Sequence, residues 1–289
     1  MWNSLFLFLI ICITGTALPL KNSYVPGSVA PPRGWFPLRN SDFSFARKVA
    51  DSLLTAYLVQ KKVTKNLSEN RLEGSTEIPQ TLVENLCGNR LGETGTVFLK
   101  GKRLGDVELT AFHLNWCDFY GALIETEYTP KVRFNVDHLS PDALLVRGLF
   151  AYKVKALALK ELAAEEKAIK QFFLEMDPPP FDFIAKMEFS VFEYPAGKNR
   201  RLVLANFEAG QGFSPGALYL LEKAGASYSV VSNYFIGEKA EIMQVLMEEG
   251  DPDPVIHVGT FGSGTEYIVV HYNGKEFEAA YKRKEGDFP

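Results

Sequence analysis

Apolar and polar positions alternate along much of the C-terminal third of the chain. Within 183–191 the odd-numbered residues are apolar and most of those between them are polar, which predicts a half-buried strand. Seven further stretches of strand character follow at 201–208, 217–222, 228–236, 242–249, 255–260, 266–272 and 276–282. Eight short strands separated by turn residues predict an antiparallel β domain over 181–289. The pattern is equally typical of a barrel, a sandwich or propeller-like blades.

The middle of the chain combines helix and strand signals. Ser41 can cap a helix, and apolar residues at helical spacing continue to about Lys62. The polar, glycine-rich stretch 64–95 predicts a connection with one short helix at 79–87. Four strands then follow at 96–99, 107–114, 119–127 and 132–136, too close together for crossover helices, which predicts an antiparallel meander.

A long helix is predicted over 141–176. Ser140, Pro141 and Asp142 form a helix start ahead of a run rich in Ala, Leu, Lys and Glu, and Pro178–Pro180 ends it. Alternation around Tyr152 leaves open that 143–156 contains strands. The predicted fold class is therefore α+β: an α+β domain over 41–177 with a helix and an antiparallel meander, the long helix, and then the β domain.

The N-terminus has the features of a secretory signal over residues 1–17. The uncharged apolar run 5–13 is followed by small residues at Gly15 and Ala17. Nine residues rise about 14 Å as a helix, against ~30 Å of hydrocarbon, so the run is short for a permanent span. A lipoprotein anchored at Cys12 is the alternative. Residues 18–40 contain five prolines and predict an extended arm. We expect a secreted, periplasmic or cell-envelope protein.

The net charge and the cysteines limit the classes of partner and the chemistry that are expected for this protein. A formal net charge of -4 in 289 residues argues against partners such as nucleic acid or an anionic membrane surface. After signal removal Cys87 and Cys117 remain, and an oxidising compartment predicts a disulfide bond between them. A nucleophilic cysteine with His113 as its base is the alternative. No cofactor and no membrane span after signal removal are predicted.

Four residues near the C-terminus are candidate site residues: His257, His271, Asp251 and Asp253. If Ser263 is the midpoint of a hairpin, His257 faces Val269 and His271 lies two residues further on the same face. The histidines show no short spacing typical of a zinc site. Independent, hydrogen-bonded histidines are the alternative to a joint site. The adjacent acids Glu165–Glu166 and Glu248–Glu249 are interpreted as surface charges.

Part of the C-terminal third resembles known repeats. An acidic turn at 250–254, two apolar strands around a glycine turn, and the ending Tyr272-Asn273-Gly274-Lys275 are similar to one unit of FG-GAP or VCBS-type β-propeller repeats. Residues 202–236 resemble a second, looser unit. The resemblance implies a calcium loop of alternating acids around a glycine, whereas Pro252 and Pro254 occupy the intervening positions here, and no metal site is predicted.

The sequence favours an exported, noncatalytic binding or interaction protein that presents loops of its β domain. Its partner would be a protein or glycan outside the cytosol. The alternative is a secreted hydrolase whose site assembles only in three dimensions, with Asp118, His113, His257 and Asp251 as candidates. A structural component of the cell envelope is the third possibility.

Overall fold

The computed structural model describes residues 20–30, 33–37, 43–60, 74–87, 90–117, 121–132, 134, 142–177, 180, 186–207, 215–261 and 266–284. The strands are Ser23–Ala30 (β1), Arg33–Pro37 (β2), Gly74–Glu77 (β3), Thr94–Leu99 (β4), Lys102–Cys117 (β5), Gly121–Pro130 (β6), Ala143–Arg147 (β7), Lys155–Leu157 (β8), Met187–Glu193 (β9), Arg200–Phe207 (β10), Gly216–Ala224 (β11), Ser227–Phe235 (β12), Lys239–Met247 (β13), Val255–Phe261 (β14), Glu266–Tyr272 (β15) and Phe277–Lys284 (β16). The α-helices are Phe43–Gln60 (α1), Gln80–Cys87 (α2) and Glu166–Leu174 (α3).

The protein is essentially all-β, so the predicted α+β class with a long helix over 141–176 is wrong. Residues 143–147 form β7, which pairs with β4 on one side and β1 on the other. All five residues of β7 are buried. A strand buried on both faces loses the alternation of polar and apolar positions and resembles a helix in composition. The only α-helix described within 141–176 is the nine-residue α3, and short 3-10 turns lie at Ala151–Lys153 and Ala163–Glu165.

Other predicted elements are confirmed. The helices expected at 41–62 and 79–87 correspond to α1 and α2. The strands β4, β5 and β6 form the predicted antiparallel meander, and β9–β16 are the eight strands predicted in the C-terminal third. Most of the strand predicted at 132–136 lies outside the described residues, as does the signal sequence predicted at 1–17. No helix in the described ranges is long and apolar enough to cross a membrane.

The N-terminal sheet closes on itself. Its strand order is β3-β5-β4-β7-β1-β2-β6, and β6 also pairs with β5. The sixteen residues of β5 allow this closure, because its first half pairs with β4 and its second half with β6. The extended course predicted for residues 18–40 is that of β1 and β2, which are paired strands of this sheet with Tyr24, Val25 and Phe36 in its core.

Two further antiparallel sheets stack beside the closed one. The four-stranded sheet runs β12-β11-β10-β9, and the five-stranded sheet runs β16-β15-β14-β13-β8. One face of the five-stranded sheet packs on the closed sheet through Leu246, Val255, Val269 and Tyr281. Its other face packs on the four-stranded sheet, whose far face is covered by α3. Three apolar cores therefore lie between successive layers.

The outer edge of β13 is covered in two ways. The short strand β8 pairs with Val245, Leu246 and Met247. Further along the same strand, the side-chain amide of Asn206 donates to the carbonyl of Ala240 at 3.0 Å and accepts from its N–H at 2.9 Å. A side chain thus takes the hydrogen-bonding place of a neighbouring strand.

Glu165 fastens the start of α3 to the four-stranded sheet. Its carboxylate accepts two hydrogen bonds from Arg201 at 2.9 Å, one from Lys223 at 2.9 Å and one from Tyr228 at 2.8 Å. These donors come from β10, β11 and β12. The interpretation of Glu165 as a surface charge is therefore wrong. The hydrogen bond from Arg201 is the main reason that the pKa of Glu165 falls from 4.5 to about 2.

We expect Glu165→Gln to lower the free energy of unfolding by about 1–3 kcal/mol at pH 7. A lowered pKa in the folded state stabilises above the unfolded value of 4.5, and the contribution is lost as pH falls toward 2. Urea titrations from pH 7 to pH 2 should show the wild type and the variant converging at the acid end. Glu166→Gln is the matched control and should leave the free energy within about 0.5 kcal/mol. A constant difference across this pH range would contradict the assignment.

Candidate functional site

The structure brings two of the predicted site residues together. Asp251 follows β13, His271 lies on β15, and their Oδ2 and Nε2 atoms are 3.5 Å apart with both side chains buried. Asp251 also accepts a hydrogen bond from the backbone N–H of Asp253 at 3.0 Å, which shapes the turn between β13 and β14. His271 Nδ1 has no hydrogen-bond partner among the described residues.

Asp253 belongs to the same turn but has its own partners. Tyr194, which follows β9, donates its hydroxyl hydrogen to Asp253 at 2.8 Å, and a guanidinium nitrogen of Arg200 lies 3.9 Å away. Burial raises the pKa of Asp253, and Tyr194 and Arg200 oppose that rise. Burial and the neighbouring carboxylate raise the pKa of Tyr194, so its hydroxyl remains a donor.

Glu248 is a residue of this region that sequence reasoning missed. It was interpreted as a surface charge, and it is 2 % exposed. The Tyr24 hydroxyl donates to Glu248 Oε1 at 2.5 Å, and the backbone N–H of Asn22 donates to the same oxygen at 3.3 Å. Burial and this carboxylate raise the pKa of Tyr24. The partners are Tyr24 on β1 and Asn22 just before it, both far away in sequence, so no local signal indicates the contact.

Together these residues form a buried polar network, defined as Asn22, Tyr24, Tyr194, Arg200, Glu248, Asp251, Asp253 and His271. Among the described residues, no group of three or more His, Cys, Asp or Glu side chains is arranged to hold a metal ion. The acids are buried and bonded to protein donors, so a substrate has no access to them. The network fixes the turn between β13 and β14 against β1 and β9.

His257 is separate from this network. It lies opposite Val269 in the β14–β15 register, which confirms the predicted pairing. Its ring is fully buried, and its Nδ1 lies 3.2 Å from the side-chain nitrogen of Gln244. Burial lowers the pKa of His257 to about 3, so the ring is neutral at physiological pH. Because His257 and His271 contact different partners, the two histidines do not form a joint site.

His113 has the surroundings of a reactive histidine. Its Nε2 lies 2.7 Å from Oε2 of the buried Glu127, and its Nδ1 lies 3.5 Å from the hydroxyl of Ser75. The ring of Trp35 packs edge-on against the imidazole, with centroids 4.5 Å apart. Asp118, the other hydrolase candidate of the N-terminal half, lies outside the described residues.

A cavity of about 220 Å³ opens beside β13, where β8 leaves the sheet. Its lining is mixed, with the apolar side chains of Leu157, Leu159 and Phe192 beside the polar ones of Lys100 and Gln244. Neither a histidine nor a carboxylate lines it. Lys100 is the one ionisable residue among those that line it.

An apolar loop projects from the surface close to the buried polar network. It consists of residues 149–152, called here the 149–152 loop, in which Leu149 is 85 % exposed, Phe150 39 % and Tyr152 64 %. It begins after Gly148, whose φ is +134° and where a Cβ would lie 2.6 Å from the side-chain oxygen of Asn22. Three large apolar side chains exposed on one short loop are typical of a contact surface.

The loop is held in place by neighbouring charges. The ammonium group of Lys153 lies 3.3 Å from Glu249 in the β13–β14 turn and 5.5 Å from the centre of the Phe150 ring. Ala151 is buried beneath the exposed side chains. The loop and the turn next to the polar network therefore form one surface.

The predicted disulfide cannot be located in the structure. Cys87 is the last residue of α2 and Cys117 the last of β5, and α2 packs against β5. Their side chains lie outside the described ones, and no disulfide bond is present among those described. The Cys87–Cys117 pairing stays a prediction.

We expect Tyr24→Phe to lower the free energy of unfolding by about 1–3 kcal/mol, because the buried Glu248 loses a hydroxyl donor. Chemical denaturation at pH 7 measures the change. Tyr152→Phe removes a hydroxyl from an exposed ring and should leave the free energy unchanged within about 0.5 kcal/mol. Equal stabilities of both variants would show that the Tyr24 hydroxyl does not support the network.

The chain matches no protein-family model, no curated protein and no solved structure. The two meanders β9–β12 and β13–β16 follow each other along the chain, and the likeness of this region to FG-GAP or VCBS-type repeats stays a prediction from the sequence.

Proposed function

We propose that the protein is exported and acts by binding a partner through the 149–152 loop. The observation that carries the proposal is the exposure of Leu149 and Tyr152, at 85 % and 64 %. Exposed apolar side chains gathered on one loop lose unfavourable contact with water when a partner covers them. The loop itself has no acid, nucleophile or histidine, which favours binding over catalysis at this surface.

The support beneath the loop favours a specific contact. Gly148 is packed against Asn22, and Lys153 joins the loop to Glu249. Asn22 in turn donates its backbone N–H to the buried Glu248. A surface that is already ordered loses little conformational entropy on binding, which increases affinity.

The side chains of the loop favour a protein over a glycan as the partner. Aromatic side chains are enriched in the centres of protein interfaces and also stack on sugars. Leu149, the most exposed of the three, offers an aliphatic surface that fits an apolar pocket of a protein. A protein outside the cytosol is thus the proposed partner.

Export and the disulfide are tested on the protein isolated from its native source. We expect mass spectrometry to find a mature terminus after Ala17 and a bond between Cys87 and Cys117. The bond closes a loop of 31 residues, and such a loop should stabilise the fold by ~3–4 kcal/mol. Retention of Met1, together with free thiols at both cysteines, would contradict the proposed export.

The proposed contact through the 149–152 loop is tested by immobilising the mature chain and collecting the proteins that it retains. The double variant Leu149→Ser, Tyr152→Ser should lose at least about tenfold in affinity for a retained partner, because aromatic and aliphatic anchors dominate interface energies. The double variant Phe235→Ser, Phe261→Ser removes two other exposed apolar side chains and should bind normally. Surface plasmon resonance measures both. Equal affinity of the two double variants would rule out the loop as the contact surface.

A further inference from the structure

Ser75, His113 and Glu127 come together on one face of the closed sheet. They are called here the Ser75 triad. In the β3–β5 register Ser75 lies opposite Asn115 and Glu77 opposite His113, so Ser75 and His113 occupy the same face. Glu127 reaches the same histidine from β6. The two contacts are 3.5 Å from Ser75 Oγ to His113 Nδ1 and 2.7 Å from His113 Nε2 to Glu127 Oε2.

The position of the buried acid is the basis for assigning the ring proton of His113. Glu127 is 2 % exposed, and its carboxylate favours a hydrogen on His113 Nε2. His113 Nδ1 is then left with its lone pair toward the Ser75 hydroxyl. The Nε2–H and the carboxylate oxygen are at hydrogen-bonding distance but not in line, as is common for catalytic contacts before substrate binds.

The solvent exposure of the three side chains decreases from Ser75 to His113 to Glu127, which is the order that acyl transfer requires. Ser75 is exposed, the His113 side chain is 17 % exposed, and the Glu127 side chain is 3 % exposed. A nucleophile open to solvent, a base behind it and a buried acid that orients the base are the three roles of a serine hydrolase site. The edge-on contact with Trp35 holds the imidazole from the side.

We propose that Ser75 is the nucleophile of a catalytic site that hydrolyses carboxylic esters. Ser75 Oγ forms a bond to the ester carbonyl carbon while its proton moves to His113 Nδ1. The ester C–O bond then breaks, and the alcohol leaves with that proton. Water attacks the acyl-serine, gives a proton to Nδ1 and releases the acid, and the proton returns to Ser75. Glu127 is a positioning residue.

Neighbouring side chains indicate the substrate class. Asn115 stands directly opposite Ser75, and one hydrogen of its amide is donated to Glu125. Its second amide hydrogen is the proposed donor to the oxyanion that forms on the carbonyl oxygen. Glu77 and Glu125 flank the His113 position on β3 and β6. The exposed carboxylate of Glu77 repels anions, so neutral or cationic esters are the proposed substrates.

The test uses a fluorophosphonate probe and p-nitrophenyl acetate on the full chain. We expect the probe to label Ser75, as located by peptide mass spectrometry. Ser75→Ala should abolish labelling at this position and lower the rate of ester hydrolysis by at least about 100-fold. Ser52→Ala removes another exposed hydroxyl, which donates to the Lys48 carbonyl, and should change neither readout. Thermal unfolding of each variant establishes that it is folded.

The role of Glu127 has its own readout. Glu127→Gln should lower kcat by about 100-fold or more with KM unchanged, because the amide no longer favours the required tautomer of His113. Glu127→Asp keeps a carboxylate and should recover part of kcat. Labelling of folded wild type at sites other than Ser75, or hydrolysis that persists in Ser75→Ala, would overturn the proposal. These outcomes are independent of binding at the 149–152 loop.

Discussion

The five-stranded sheet is covered by protein on both faces, and this double burial ties the layers of the fold together. Along β14 and β15 nearly every side chain is buried. One set of these side chains belongs to the core shared with the closed sheet, and the other to the core shared with the four-stranded sheet. Because no face of these strands meets water, each polar group on them requires a partner within the protein.

His257 and His271 meet this requirement at one ring nitrogen at most, since His257 Nε2 and His271 Nδ1 have no hydrogen-bond partner among the described residues. His257 is neutral and lies beside Gln244, whereas His271 lies beside Asp251. The second contact belongs to the buried polar network, which fixes the turn between β13 and β14. That turn supports the 149–152 loop through Glu249 and Lys153. The buried polar network in the centre of the fold is thus connected, through the β13–β14 turn, to the exposed 149–152 loop.

The alternation of apolar and polar residues predicted much of the fold, because most strands have one face in an apolar core and the other face in different surroundings. The alternation over 183–191 and the glycine-containing hairpin at 262–264 were enough to predict strands and the pairing of His257 with Val269. β7 could not be recognised in this way, since both of its faces are buried and the alternation is lost. Helix propensity was the stronger local signal, although the alternation around Tyr152 had left strands open over 143–156, and long-range pairing overrode the propensity.

The candidate sites depend, even more than the strands do, on contacts between residues that are distant in sequence. Glu248 meets Tyr24 across 224 positions, and His113 meets Ser75 across 38. Neither spacing corresponds to a sequence motif, because strand pairing, rather than a single helix or loop, brings these groups together. The sequence could name His113 and Asp251 as candidates, but it could not choose their partners. Beyond the residues of β13 that pair with β8, Asn206 occupies the main-chain hydrogen-bonding groups of Ala240 that another strand would need. One amide side chain therefore closes this position of β13 to pairing with another strand.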